Sequence, residues 1–227
     1  MEQHYSHSWN LGEKEALELQ IRLASQVERN DRLNQVNLVA GVDVAYDERS
    51  DRLVAAVVVL NAATLAVEEQ AIAEDISRFP YIPGLFSFRE LPSIAKAISQ
   101  LTCTPDLIIC DGQGIAHPRR FGLASHIGIL FDTPTIGCGK SRLLGAHEKV
   151  HEERGALSPL LDGNEIIGCA LRTQSKVKPV YISIGHRISL STACNWILRF
   201  SPKYRLPETT RLSDQLVRKT LTEKFNH

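Results

Sequence analysis

A chain of 227 residues, 43% hydrophobic and 23% charged, has the make-up of an ordinary soluble globular protein and is expected to form a single domain over 1–227 with a sizeable core. Its 26 lysines and arginines equal its 26 aspartates and glutamates, so net charge announces no nucleic-acid partner, although a neutral total leaves room for a local basic face. Five cysteines at 103, 110, 138, 169 and 194, odd in number and without a CxxC, read as reduced, mostly buried thiols and not as disulfides or a zinc site. The polar start MEQHYSHSWN is not a secretory signal, and no apolar run nears the ~20 residues that cross a bilayer, so no membrane association and a cytoplasmic location are expected.

In chain order, residues 12–29 read as an amphipathic helix with Leu17, Ile21, Ala24 and Val27 on its apolar side. Strands follow at 36–46, 52–60 and 65–73, with turn residues Asp47, Ser50, Asn61 and Thr64 between them, which predicts an antiparallel meander. A loop rich in aromatics and proline, 79–88, leads to a helix at about 90–101 with Pro92 in its first turn. Then come a strand at 106–110, a helix at 119–131, strands at 135–138, 166–173 and 179–184, and helices at 190–200 and 208–222. The pattern predicts an α/β fold: a mixed central sheet, an antiparallel three-strand meander then parallel strands, flanked by helices.

Two carboxylates stand where apolar strands would otherwise continue or end. In GVDVAY (41–46), Val42, Val44 and Tyr46 share one side of the strand, and Asp43 shares the other with Ala45. A buried acid needs compensation, by an ion pair and backbone hydrogen bonds or by a metal ion. Asp111 ends the apolar run DLIIC (106–110) and opens a glycine-rich loop. If the two strands are neighbours, both carboxylates can converge on one hard cation such as Mg²⁺, which favours oxygen ligands and keeps waters and substrate phosphates in its shell. Glu90 is a third candidate, with a favourable interaction at a helix N-terminus as the competing explanation.

Two phosphate-loop patterns fail. GCGKS (137–141) ends like a Walker A loop but has Pro134 where the first glycine must stand, and a dinucleotide fingerprint begun at Gly112 meets His117 where its third glycine is needed. Lys140, presented between glycine and serine, is either a phosphate contact or a solvated loop cation. In FPYIPGLFSFRE (79–90), Pro80 and Pro83 stiffen a loop that holds Tyr81 and Ile82. Such a loop is either a wedge that unstacks nucleic-acid bases or a core anchor, and Phe86 and Phe88 are expected in the core.

Taken together, GVDVAY (41–46), PYIPGLFSFRE (80–90), DGQGIAHPRRFGLASHIG (111–128), IGCGKSRL (136–143) and YRLPETTRLSD (204–214) resemble the endonuclease V family, in family order and across most of the chain. The resemblance implies a ribonuclease H-like fold. It implies Mg²⁺-dependent hydrolysis, with Mn²⁺ as a substitute, of the second phosphodiester 3′ to deoxyinosine in DNA, leaving 3′-hydroxyl and 5′-phosphate ends. It makes Asp43 and Asp111 the principal metal ligands, completed by Glu90. Lys140 would stabilise the phosphate or leaving group, and His117 would contact the strand or assist proton movement. Asp214 would be a fourth metal-site position, although a surface ion pair with Arg211 or Arg218 explains it locally. Pro80, Tyr81, Ile82 and Pro83 would be the strand-separating wedge; Gly84, Leu85 and Gly112 would line the hypoxanthine pocket; Arg89 and Arg119 would contact substrate. Expected partners are DNA with deoxyinosine or other deaminated bases, with no obligate protein partner. The alternatives are an inosine-specific endoribonuclease and a reader that binds inosine-containing strands without cutting.

Overall fold

Segments rich in valine, alanine and leucine form β1 (Leu38–Tyr46) and β2 (Arg52–Asn61), a more acidic segment forms β3 (Val67–Ile76), and the three pair antiparallel as the expected meander. β4 (Leu107–Cys110) pairs in parallel with β1, and β5 (Thr135–Gly139) in parallel with β4. The remaining strands, β6 (Leu157–Asp162), β7 (Glu165–Leu171) and β8 (Val180–His186), are antiparallel: β8 lies on β5, β7 on β8, and β6 on the edge. The computed structural model, which describes residues 1–47 and 49–225, thus contains one eight-stranded sheet in the order β3-β2-β1-β4-β5-β8-β7-β6.

The described residues form five helices, α1 (Glu13–Ala24), α2 (Phe86–Ile98), α3 (Leu123–Phe131), α4 (Leu190–Phe200) and α5 (Glu208–Phe225); the last four lie on the sheet, and α1 packs outside it near α3. α2 and α3 cover one face, where Leu91, Ile94 and Ile127 pack on Ala40, Val42, Val57 and Ile108. α4 and α5 cover the other, with Ile197 and Phe200 beside Ile136 and Ile182, and Val217 against Val54 and Ala56. Each of the valine, leucine, isoleucine and phenylalanine side chains among them, fully buried, contributes roughly 1.5–3 kcal/mol of transfer free energy. α5 lies so close to β1 that a Cβ on Gly41 would come within 2.4 Å of the Thr209 backbone; only glycine permits that approach. No helix among the described residues is long and apolar enough to cross a membrane.

Several expectations are corrected. α1 ends at Ala24 and buries Ala16, Leu19, Gln20 and Leu23, whereas Ile21 is 61% exposed. A glutamine inside the true buried stripe hid it. α2 begins four residues before the expected start, so Pro92 lies inside the helix and Phe86, at its first position, is 41% exposed while Phe88 is buried. Its N-cap is Leu85, which makes no side-chain cap bond, so the usual polar start signal is missing. The helix expected from residue 119 starts at Leu123. β6 was not anticipated; it contains Pro159, which an edge strand tolerates. Beyond β5 the sheet turns antiparallel instead of continuing in parallel.

Candidate active site

Register brings the acids together. Val42 of β1 is level with Cys110 of β4, so Asp43 and Asp111 are the next residues along two parallel neighbours. In parallel strands, residues at matching positions point to the same face, here the face covered by α5. Cys110 is level with Gly137 of β5, which puts Cys138, and Lys140 two residues on, on that same face. Lys140 Nζ lies 2.5 Å from Asp111 Oδ2 and 3.7 Å from Asp214 Oδ1. Asp214 comes from α5, held in place by the close packing at Gly41. It also accepts a 2.9 Å bond from Arg218 Nε, so the ion pair weighed for it exists and coexists with a place in the cluster. Arg211 pairs with Glu208 instead.

Glu90 approaches from the opposite face, on α2. It is 5% exposed, and its Oε1 accepts a 3.1 Å hydrogen bond from the Tyr46 hydroxyl. It sits in the second turn of its helix, so the helix-terminus explanation for this acid does not hold.

Charge is unbalanced in this cluster. Burial, with the negative charge of Asp111 and more weakly Asp214, raises the Asp43 carboxyl to about 7. Burial pushes Glu90 well above the usual carboxylate range; the charges of Asp43 and Asp111 add to this and the Tyr46 bond opposes it. Burial works against the Lys140 ammonium, but its hydrogen bond to Asp111 and the surrounding carboxylates outweigh that and raise it. Burial also pushes Asp214 upward, yet the Arg218 bond and the Lys140 charge leave it below its ordinary value.

Among the described residues, no three His, Cys, Asp or Glu side chains form a group that would hold a metal ion by themselves. The donors present nevertheless suit a hard cation. Asp43 offers a carboxylate from within β1 and Asp111 one from just past the end of the neighbouring β4, and Mg²⁺ commonly binds through one or two carboxylates with water and phosphate filling its shell. Burial first and the Asp111 charge second raise the Asp43 carboxyl, and a cation beside it would favour its charged form.

In the loop after Asp111, Gly114 is required by crowding. A Cβ on Gly114 would fall 1.9 Å from Ile184 O of β8. Further along it, His117 is 5% exposed, and its Nδ1 accepts from the Arg119 amide at 3.2 Å. Burial and the Arg119 charge lower it to about 4, against an opposing bond with the Gly84 backbone. His117 is therefore a neutral ring beneath the loop.

Gly84 follows the proline-bracketed segment 80–83 that the sequence suggests as a wedge. It has φ +81°, a conformation that favours glycine, and its carbonyl accepts from Gln20 Nε2 at 2.9 Å and Arg119 Nη2 at 2.7 Å. Leu85 is fully buried with Phe79, Phe88 and Phe121, and its amide closes a turn on Ile82 O. Pro80 and Pro83 are exposed, Tyr81 is 71% exposed, and Ile82 is half-buried against the core. Gly112 has φ +155°, beside Leu123. Arg89 points inward: Nη1 donates to Phe79 O at 2.8 Å, the guanidinium lies 5.1 Å from the centre of the Tyr46 ring, and Asp51 is 3.8 Å away.

Sequence reasoning missed Gln20 and Tyr46. The signal for Gln20 was its place in the 16, 19, 20, 23 stripe. That for Tyr46 was a phenol on the same strand side as Val42 and Val44, where a buried hydroxyl needs a partner.

Comparison with known proteins places these features in context. The profile of the family Endonuclease V matches residues 21–215. The chain is 49% identical over 217 residues to the endonuclease V of Trichormus variabilis, covering 95% of this chain and 98% of that protein. To the endonuclease V of Streptomyces avermitilis it is 54% identical over 185 residues, 82% of this chain and 81% of that one. The crystal structure of the endonuclease V from S. avermitilis matches with a TM-score of 0.91 at 49% identity, covering 95% and 96%. That of Ciona intestinalis endonuclease V, in complex with a 24mer DNA containing an inosine followed by a ribo-adenosine, matches with a TM-score of 0.82 at 27% identity, covering 92% and 98%. The Argonaute of A. aeolicus shares the fold alone, at TM-score 0.51 and 14% identity over 83% of this chain and 29% of that one. The fold is the expected ribonuclease H-like one.

Proposed function

The chain belongs to the endonuclease V family, and on that premise we propose that it is a DNA-repair endonuclease hydrolysing the second phosphodiester 3′ to deoxyinosine, leaving 3′-hydroxyl and 5′-phosphate ends. The observation that carries this reading is the gathering of Asp43 of β1, Asp111 after β4, Asp214 of α5 and the Lys140 ammonium on one face of the sheet. Asp43 and Asp111, with Glu90 and Asp214 near them, would hold Mg²⁺, for which Mn²⁺ would substitute. When bound, the ion supplies charge at the phosphoryl oxygen and a water acidic enough to attack near neutral pH.

The chain's own residues do the rest. Lys140, already paired with Asp111, offers an ammonium to the phosphate or leaving oxygen where charge develops. Tyr81, exposed between two prolines, enters the base stack. Gly84 and Gly112 present backbone to the extruded base, with Leu85 locking the turn beneath. Hypoxanthine offers O6 as an acceptor where adenine carries an amino donor, and a site built around that one hydrogen bond rejects adenine strongly. His117 stays neutral and braces Gly84, close to where the strand would run.

A second reading has one observation in its favour: the strand bound by the Ciona relative has a ribonucleotide after its inosine. An inosine-specific endoribonuclease would use the same acids. The two are separated by cleaving matched DNA and RNA strands, each with one inosine, and mapping the ends. Faster cutting of DNA supports repair, faster cutting of RNA supports the second reading, and tight binding without cutting of either would make the protein a reader.

A further inference from the structure

We propose that Tyr46 is a positioning residue for this reaction: its hydroxyl sets the Glu90 carboxyl against Asp43 and Asp111, and its ring links that carboxyl to the root of the wedge loop. The inference rests on the cleavage reading above.

The geometry is a chain of three contacts. Phe79 O, one residue before the wedge, accepts from Arg89 Nη1 at 2.8 Å. The Arg89 guanidinium lies 5.1 Å from the centre of the Tyr46 ring, within range of a cation–π attraction. The Tyr46 hydroxyl then donates to Glu90 Oε1 at 3.1 Å. Arg89 and Glu90 are consecutive on α2, so loop, helix and strand meet at this one aromatic ring.

Glu90 needs such a holder. It is 5% exposed, and a buried carboxyl without a hydrogen bond is costly. Unlike Asp43 and Asp111, it does not come from the sheet, so strand register does not fix its distance from them. Tyr46 is three residues beyond Asp43 on β1 and held in the ladder opposite Leu53. A phenol has few rotatable bonds, so the strand's position passes directly to the carboxyl. Arg89 restrains the ring from the side of the wedge loop, so a strained or displaced loop root would be felt at Glu90.

The test is Tyr46→Phe, which keeps the ring and removes the hydroxyl. On an inosine-containing duplex in Mg²⁺, kcat should fall roughly tenfold, the loss expected from one hydrogen bond made to a carboxylate, with KM within about twofold. The variant should also need more Mg²⁺ for half-maximal rate. In protein with ¹³C-labelled glutamate carboxyls, assigned with Glu90→Gln, the Glu90 resonance should shift in Tyr46→Phe while other glutamates stay. An unchanged kcat, a rise in KM alone, or a loss that merely follows the folded fraction seen by circular dichroism would overturn the proposal. So would an unmoved Glu90 resonance, which reads the contact even if the wild-type protein cuts nothing and the proposed activity itself fails.

Discussion

Lys140 Nζ lies between Asp111 Oδ2, at 2.5 Å, and Asp214 Oδ1, at 3.7 Å, so one ammonium joins a strand end to the helix that covers it. If that charge also meets the reacting phosphate, Lys140→Ala should lower kcat by about 10²–10³, the usual effect of removing one preorganised charge or donor. Asp214 shares its charge with Arg218, so Asp214→Asn should cost less, roughly tenfold. Single-turnover nicking of an inosine duplex reads both; equal losses would place Asp214 closer to the chemistry than its ion pair implies.

Gln20 is a structural prediction. It is 1% exposed and donates to Gly84 O at 2.9 Å and Phe121 O at 2.7 Å. Gln20→Ala takes the donor from Phe121 O and the acceptor from Arg119 Nε, while Gly84 O keeps its bond from Arg119 Nη2, and should destabilise the protein by about 1–3 kcal/mol. Its neighbour Ile21 is 61% exposed, and Ile21→Ala should stay within about 0.5 kcal/mol of wild type. Urea unfolding of the two variants side by side decides whether the buried stripe has been assigned correctly.

The wedge reading separates Tyr81 from the fold. Because its side chain is largely exposed, Tyr81→Ala should leave the melting temperature unchanged. Its effect should fall on duplex substrate, where bases must be unstacked, more than on a single strand, where that cost is small. A similar loss on both substrates would mean that Tyr81 contacts the strand without separating it.

A pH prediction concerns the N-terminal segment. His7 Nε2 and His126 Nε2 are 2.9 Å apart, and His126 Nδ1 is 3.0 Å from Ser87 Oγ. The His7–His126 contact requires one bare nitrogen. Burial, then the Arg22 charge, lowers His7 against its bond to Ser8 O; burial and then His7 lower His126 far below its ordinary value. Both folded values lie below the unfolded value of about 6.5, so the unfolded chain takes up protons first as pH falls. The pair's contribution is therefore complete above about pH 6.5 and is lost below it. Trp9 stacks edge-on to His7 at 4.2 Å. In a Trp196→Phe background its emission should change between pH 7.5 and 5.5, and that change should disappear in His7→Gln. A flat profile would mean the segment stays docked with its rings charged.

The shared face of Asp43 and Asp111 was legible because it depends on strand parity. Asp43 interrupts an apolar strand and Asp111 ends an apolar run, and two-residue periodicity puts both on one face once the two strands are parallel neighbours. What could not be read depends on contacts between elements distant in sequence. Gln20 lies in the core because carbonyls 64 and 101 residues away need its amide. α2 begins at Phe86 without a polar cap because Leu85 is held by the core beneath the wedge, so the sequence suggested a later start and a helix-terminus role for Glu90. Arg89 reaches back to Phe79 and Tyr46, contacts that its place between Phe88 and Glu90 does not reveal. β6 escaped notice because Pro159 demotes a strand pattern unless the strand is known to be on the edge.

The central claim is that Asp43 and Asp111 act together through a divalent ion, and a Mg²⁺ titration of nicking 3′ to inosine in wild type, Asp43→Asn and Asp111→Asn tests it most directly. The account predicts no cleavage in chelator, a rate that rises with Mg²⁺ in wild type, and a loss of about 10³ or more in each variant at every Mg²⁺ concentration. Cleavage in chelator, or either variant within a few-fold of wild type, would contradict it.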